Sequence, residues 1–145
     1  MPKNSDSANK ITADILLRVS EELPNVILWR QNAGMGLPLA YVKAALGCLR
    51  RGDVPGAIKA LSSRPFRAGV TGTADLSGIA LIEAVEWEHG TYGIRVEVEV
   101  KTENDRQNED QKRFQSMILA HAGIYLIATD ADQCVTDLRA RLAEF

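Results

Sequence analysis

Arg95-Val96-Glu97-Val98-Glu99-Val100-Lys101 alternates apolar and charged residues without interruption. Ile94, Val96, Val98 and Val100 recur with the two-residue period of a β-strand. Burying each of them contributes roughly 1.5 to 3 kcal/mol. Such a segment is satisfied by a sheet whose valine face lies in a core. Arg95, Glu97, Glu99 and Lys101 then project together from the opposite face at fixed spacing.

The flanking sequence supplies the rest of an α/β domain. Residues 11 to 23 carry Ile15, Leu16, Val19 and Leu23 on one helical side, with Thr12 as a candidate N-cap and Pro24 as the stop. Val26 to Arg30 reads as a first strand. Gly34, Gly36 and Pro38 break the chain, and Leu39 to Arg50 and Val54 to Leu61 follow as two helices joined by Arg51-Gly52-Asp53. Ile79 to Trp87 and Ile94 to Lys101 read as antiparallel neighbours around a turn at Glu88 to Gly93. Asn108-Glu109-Asp110-Gln111 has capping-box form and opens a helix with Phe114, Met117, Ile118 and Ala122 on its apolar stripe, closed by Gly123. Ile124 to Ala128 is a buried strand, and a last helix spans about Asp130 to Leu142 with Val135, Leu138 and Leu142 facing inward. The expectation is one domain over 1–145: a mixed β-sheet flanked by helices, interrupted by a helical insertion at about 36–63.

At 145 residues, 46% hydrophobic and 25% charged, the chain has the make-up of an ordinary globular domain. Cys48 and Cys134 are too few for a disulfide framework and lack a zinc-like spacing, so both are expected as buried thiols. The polar N-terminus lacks the apolar stretch of a secretory signal, and no run approaches the ~18 apolar residues of a membrane span. A cytoplasmic protein without a membrane partner is expected. The net charge of −2 hides a sharp segregation. Residues 26–70 hold seven basic residues (Arg30, Lys43, Arg50, Arg51, Lys59, Arg64, Arg67) against Asp53, whereas residues 71–145 hold seven basic and fourteen acidic. A basic segment beside an acidic one suits a protein that grips a polyanion with one part and a metal ion with the other. A solvated helical surface would produce the same count.

Asp75, in Gly72-Thr73-Ala74-Asp75-Leu76, enters the rim of the same sheet, on the face of Glu97 and Glu99. Carboxylates about 4 Å apart repel by roughly 4 kcal/mol at an effective dielectric near 20. A bound cation relieves that repulsion. Oxygen ligands without His or Cys favour a hard ion, Mg²⁺ or Mn²⁺, which activates water and neutralises phosphate charge. Lys101 then stands by for developing negative charge. Glu97 is open to two readings, a supporting acid or a surface residue. Gln111 is either the N3 half of the capping box or a site residue, and both roles are compatible. His89 and His121 have no metal-like spacing, Gly34-Met35-Gly36 is too short for a phosphate loop, and Trp29 reads as core.

These motifs resemble the PD-(D/E)XK nuclease superfamily, and within it the VRR-NUC family. Trp29-Arg30-Gln31-Asn32-Ala33-Gly34 resembles that family's Arg-Asn segment after the first strand. Gly69-Val70-Thr71-Gly72-Thr73-Ala74-Asp75-Leu76 is similar to its Gly-x-x-Gly-x-x-Asp-Leu motif, Glu99-Val100-Lys101-Thr102 to its Glu-Val-Lys-Thr signature, and Asn108 to Phe114 to its Gln-Lys helix. The resemblance implies a restriction-endonuclease-like core, Asp75, Glu99 and the Val100 carbonyl as metal ligands, Lys101 as catalytic lysine and Gln111 as a site residue. It also implies a Mg²⁺- or Mn²⁺-dependent DNA endonuclease that cuts branched or Holliday-junction DNA as a homodimer. Arg30, Asn32, Arg50, Arg51, Arg67 and Lys112 are the candidates for DNA contact. The first-helix acid such nucleases often carry is Asp14, Glu21 or Glu22. Two departures stand out: Ala74 replaces the proline that often precedes the aspartate, and the insertion exceeds the compact family core.

Overall fold

The computed structural model describes residues 3–31, 34–36, 39–62, 66–68, 70–83 and 90–145. They form five helices and six strands in two compact units, one of Met1–Gln31 with Thr71–Phe145, the other of Asn32–Val70. The expected insertion at about 36–63 falls within the smaller unit.

The larger unit is built on four strands: β1 (Val26–Arg30), β4 (Leu76–Glu83), β5 (Thr91–Val100) and β6 (Ile124–Ala128), ordered β1-β4-β5-β6. β1 and β4 pair antiparallel, as do β4 and β5, while β5 and β6 run parallel. The parallel step requires a crossover, which α4 (Glu109–Ala120) supplies. One sheet face packs on α1 (Lys3–Glu22) and α5 (Ala131–Leu142) through Ile15, Val19, Val26, Leu76, Val96, Val98, Leu126 and Leu138, all buried. On the other face Phe114 and Ile118 of α4 close over Ala74 and Tyr125. The two-residue period of β5 thus sends its valines to one layer and Glu97 and Glu99 to the other. No helix among the described residues is long and apolar enough to cross a membrane.

Several local expectations need correction. Thr12 is not an N-cap: its Oγ1 donates to the Ala8 carbonyl at 2.8 Å, one turn back inside α1. Neither Gly nor Pro occurs between Lys3 and Lys10, so nothing in that polar stretch stops the helix from running on. β4 starts three residues before Ile79, β5 three before Ile94, and residues 84–89 lie outside the described set. At the end of α4 the left-handed position falls on Ala122 (φ 56°) instead of Gly123, whose missing Cβ would stand 2.7 Å from Ile118. Trp29, expected in the core, is 44% exposed, and Cys48 is only partly buried while Cys134 is fully so.

In the smaller unit, α2 (Leu39–Arg50) and α3 (Val54–Leu61) match the expected helices, and Asp53 caps α3 by accepting the Gly56 N–H at 2.9 Å. Short strands β2 (Gly34–Gly36) and β3 (Phe66–Ala68), not foreseen in the sequence, pair antiparallel.

Candidate active site

Asp75 is fixed from both sides. Its carbonyl accepts the Gln31 N–H at 2.8 Å, continuing the β1–β4 pairing, and its Oδ2 accepts the Val100 N–H at 2.9 Å across to β5. The loop that delivers it turns at Gly72, with φ +84°. A Cβ there would sit 2.4 Å from the Asp110 backbone and 2.9 Å from the Gln111 nitrogen. Glycine therefore lets the Asp75 loop lie directly on the first turn of α4. Ala74 is buried against Phe114, Ile118 and Tyr125, where a small side chain suffices.

Glu99 follows on the same face, one residue beyond the Leu76–Val98 pair, and is 2% exposed. Its Oε1 receives Lys101 Nζ at 2.8 Å and the Gln111 amide. Its Oε2 is buried and has no hydrogen-bond partner among the described residues. Lys101, also buried, reaches Gln111 Oε1 at 3.3 Å and Asp105 Oδ2 at 3.4 Å, while its backbone N–H donates to Ala128 at 2.9 Å. Gln111 completes the capping box and also reaches Glu99. The Asn108 side chain accepts its N–H at 2.9 Å and its own Oε1 accepts the Asn108 N–H at 3.0 Å, completing a capping box whose second amide end touches Glu99.

The electrostatics follow from this enclosure. Burial pushes the Glu99 carboxyl above its usual range; Lys101 pulls against that, and Asp75 adds to it. Burial would lower the Lys101 amine, but Glu99 and Asp105 together outweigh it and hold the ammonium above its usual value. Tyr125, beside Glu97 on β6, is also raised, first by burial and then by the Glu99 charge.

Glu97 does not share the site. Fully buried, it accepts Ser77 Oγ at 2.9 Å and Arg95 Nε at 2.7 Å, so its charge is already met. Glu22 binds Arg18 at 2.6 Å and Arg139 at 2.7 Å, Asp14 lines a hollow with Asp130 and Asp132, and Glu21 is exposed. The Arg30 guanidinium contacts Asn9 of α1. Lys112 stands on the first turn of α4, ion-paired with Glu109 at 2.8 Å. Arg50 and Arg51 are exposed in the smaller unit, and Arg67 lies on β3. Asn32 and His89 lie outside the described residues. His121 caps α4, its Nδ1 2.8 Å from the Met117 carbonyl.

Sequence reasoning missed Asp105 as a partner of Lys101, and Ser77 and Arg95 as partners of Glu97. The four-residue spacing of Lys101 and Asp105 was visible, but the turn that joins them, Asp105 N–H to Thr102 carbonyl at 2.9 Å, is not helical. No group of three or more His, Cys, Asp and Glu side chains among the described residues could hold a metal ion. A cation here would rest on two carboxylates and backbone. Asp75 and Glu99 fit a hard ion as donors, since both are oxygen ligands and Glu99 Oε2 is a buried acceptor that an ion would satisfy. No family model, curated protein or solved structure matches the chain.

Proposed function

We propose that this chain is a Mg²⁺- or Mn²⁺-dependent DNA endonuclease with a restriction-endonuclease-like core, of VRR-NUC type. The observation that carries the reading is that Lys101 and Gln111 meet on Oε1 of the buried Glu99, whose carboxyl also feels the Asp75 charge, while its Oε2 has no partner among the described residues. Asp75, Glu99 and the Val100 carbonyl would hold the cation, which when bound would supply Lewis acidity toward a phosphodiester. Lys101, kept charged by Glu99 and Asp105, presents N–H donors to the charge that builds on the phosphate oxygens. Gln111 fixes Glu99 by its amide, and the Val100 N–H fixes Asp75. Arg50, Arg51, Arg67 and Lys112 serve DNA binding, with Arg30 and Asn32 as further candidates.

Branched or Holliday-junction DNA is the proposed substrate and a homodimer the working form, because a junction needs two cuts. α2 supports self-association, with Leu39, Leu46 and Leu49 exposed along one stripe. The test is a cleavage panel of linear, flap, fork and four-way-junction DNA with Mg²⁺, run on wild type and on Asp75→Ala, Glu99→Ala and Lys101→Ala. Each variant is expected to lose at least about two orders of magnitude in rate. Ca²⁺ should support binding with little turnover, and EDTA should abolish cleavage. A folded Glu99→Ala protein cutting at the wild-type rate overturns the assignment. Cleavage confined to linear or flap DNA by a monomer replaces the junction reading, and DNA binding without turnover in any divalent ion makes the chain a binding module. Solution mass, with and without Leu46→Glu, decides the dimer.

A further inference from the structure

A cleft of about 550 Å³ opens beside the carboxylates, within the larger unit. It lies past the carboxyl ends of β5 and β6, the parallel pair, where open α/β sheets offer a crevice. Its size is that of a small-molecule site. Ile127 forms an apolar surface there, 38% exposed and paired in register with Glu99. Lys101, Arg106 and Lys112 surround it with three cations, and Thr102 and Thr129 add hydroxyls. Of the two acids in the lining, Asp105 already faces Lys101, which leaves Glu103 against the remaining cations.

Arg106 and Lys112 are available for a ligand. Arg106 makes a 3.3 Å contact to the Asp105 carbonyl, near the weak end of hydrogen bonding. The Lys112–Glu109 pair is exposed on both sides, a weak arrangement readily exchanged for a phosphate. Lys101 belongs both to this cleft and to the Glu99 cluster, so a ligand seated here is continuous with the site of bond cleavage. An apolar surface ringed by hydroxyls and cations matches one nucleotide, its base or sugar on Ile127 and its phosphate on the guanidinium.

We infer that this cleft is the subsite for the nucleotide next to the scissile phosphate, with Arg106 and Lys112 binding that nucleotide's far phosphate and Ile127 packing against its base or sugar. The inference rests on the endonuclease reading for its place in catalysis, but its binding test does not. Thymidine 3′,5′-bisphosphate is titrated into the methyl-labelled full chain without divalent ions, the Ile127 methyl signals are followed, and affinity is measured for wild type, Arg106→Ala and Arg106→Lys. The Ile127 signals are expected to shift saturably. Arg106→Ala should weaken binding about tenfold or more, as charge-assisted contacts to phosphate do, with partial recovery in Arg106→Lys. Shifts at Ile127 together with that loss uphold the subsite even in a chain that cuts no DNA in the panel above, where the nuclease reading alone fails. Unmoved Ile127 signals, or wild-type affinity in Arg106→Ala, overturn the subsite whether or not DNA is cut.

Discussion

Glu99→Gln keeps the shape of the most enclosed acid of the site and removes its charge. Two accounts of the Glu99–Lys101 pair, 2.8 Å apart and buried on both sides, give opposite signs for its stability. If the pair held the fold together, deleting one partner would cost about 3–5 kcal/mol. That is roughly 12–20 °C of Tm at about 4 °C per kcal/mol for a chain this size. The Glu99 carboxyl is raised, however, because burial outweighs the attraction of Lys101 and Asp75 adds repulsion, so its ionisation is a net cost to the folded state. Glu99→Gln is therefore expected to hold or raise Tm at pH 7 in metal-free buffer. The sign of the pH dependence follows. Below about pH 4 the residue is protonated folded or unfolded and the two chains differ little. As pH rises from the unfolded value to the raised folded value, wild type alone loses stability, and above the folded value the gap stays constant. Thermal unfolding between pH 4 and 8 reads this directly, and a second arm adds Mn²⁺. An ion at a hundred times its Kd adds about 2.7 kcal/mol, which is about 10 °C in wild type and little in the variant. A fall of 12 °C or more for Glu99→Gln at pH 7 without metal would show that the pair is structural and refute the reasoning.

Gly72→Ala should cost about 1–3 kcal/mol, since it places a Cβ in a left-handed turn and against the Asp110 backbone; unfolding measures the loss, and DNA cleavage should fall with it because the Asp75 loop must lift from α4. Arg95→Ala should destabilise by about 1.5–3 kcal/mol, the scale of a hydrogen bond to a charged group, by stripping a 2.7 Å partner from the fully buried Glu97, which denaturant titration would register. Cys48 should react with a thiol reagent in the folded protein while Cys134, buried and pushed up to about 12, stays silent until unfolding, so a native count of two reactive thiols would contradict the packing of α5. Arg50→Ala with Arg51→Ala should weaken DNA binding across sequences and lower its salt slope by about 0.9 per lost phosphate contact, and a slope unchanged from wild type would remove both residues from the DNA surface.

What the sequence made legible was whatever a local pattern encodes. The two-residue period of Val96, Val98 and Val100 placed β5 and its two faces, and the apolar spacing and breakers around 39–61 placed both helices of the insertion. Partnerships across the sheet were not local. Ser77 and Glu97 are twenty residues apart in sequence yet 2.9 Å apart in space, and nothing in either segment announces the pairing that takes Glu97 out of the site. The exposed side of Trp29 was equally hidden, because an aromatic at a strand position reads as core unless the layer above that strand is known. α1 ran past its expected start because the absence of a breaker is a weaker signal than the presence of a cap.

Gln111 joins the two kinds of information. Its capping box is a local motif, readable from Asn108 and three residues' spacing, and it uses the side-chain oxygen and the backbone N–H. The amide nitrogen is left over, and the fold spends it on Glu99. The same oxygen lies 3.3 Å from Lys101, so the start of α4, the acid of β5 and the lysine beyond it share one amide group. A shift of α4 along the sheet would break its own cap or release Glu99, and it would also meet the Gly72 turn that rests on the same helical turn. The sequence motif that begins the helix therefore also touches Glu99 and carries the turn of the Asp75 loop, so the cap and the candidate active site meet at Gln111.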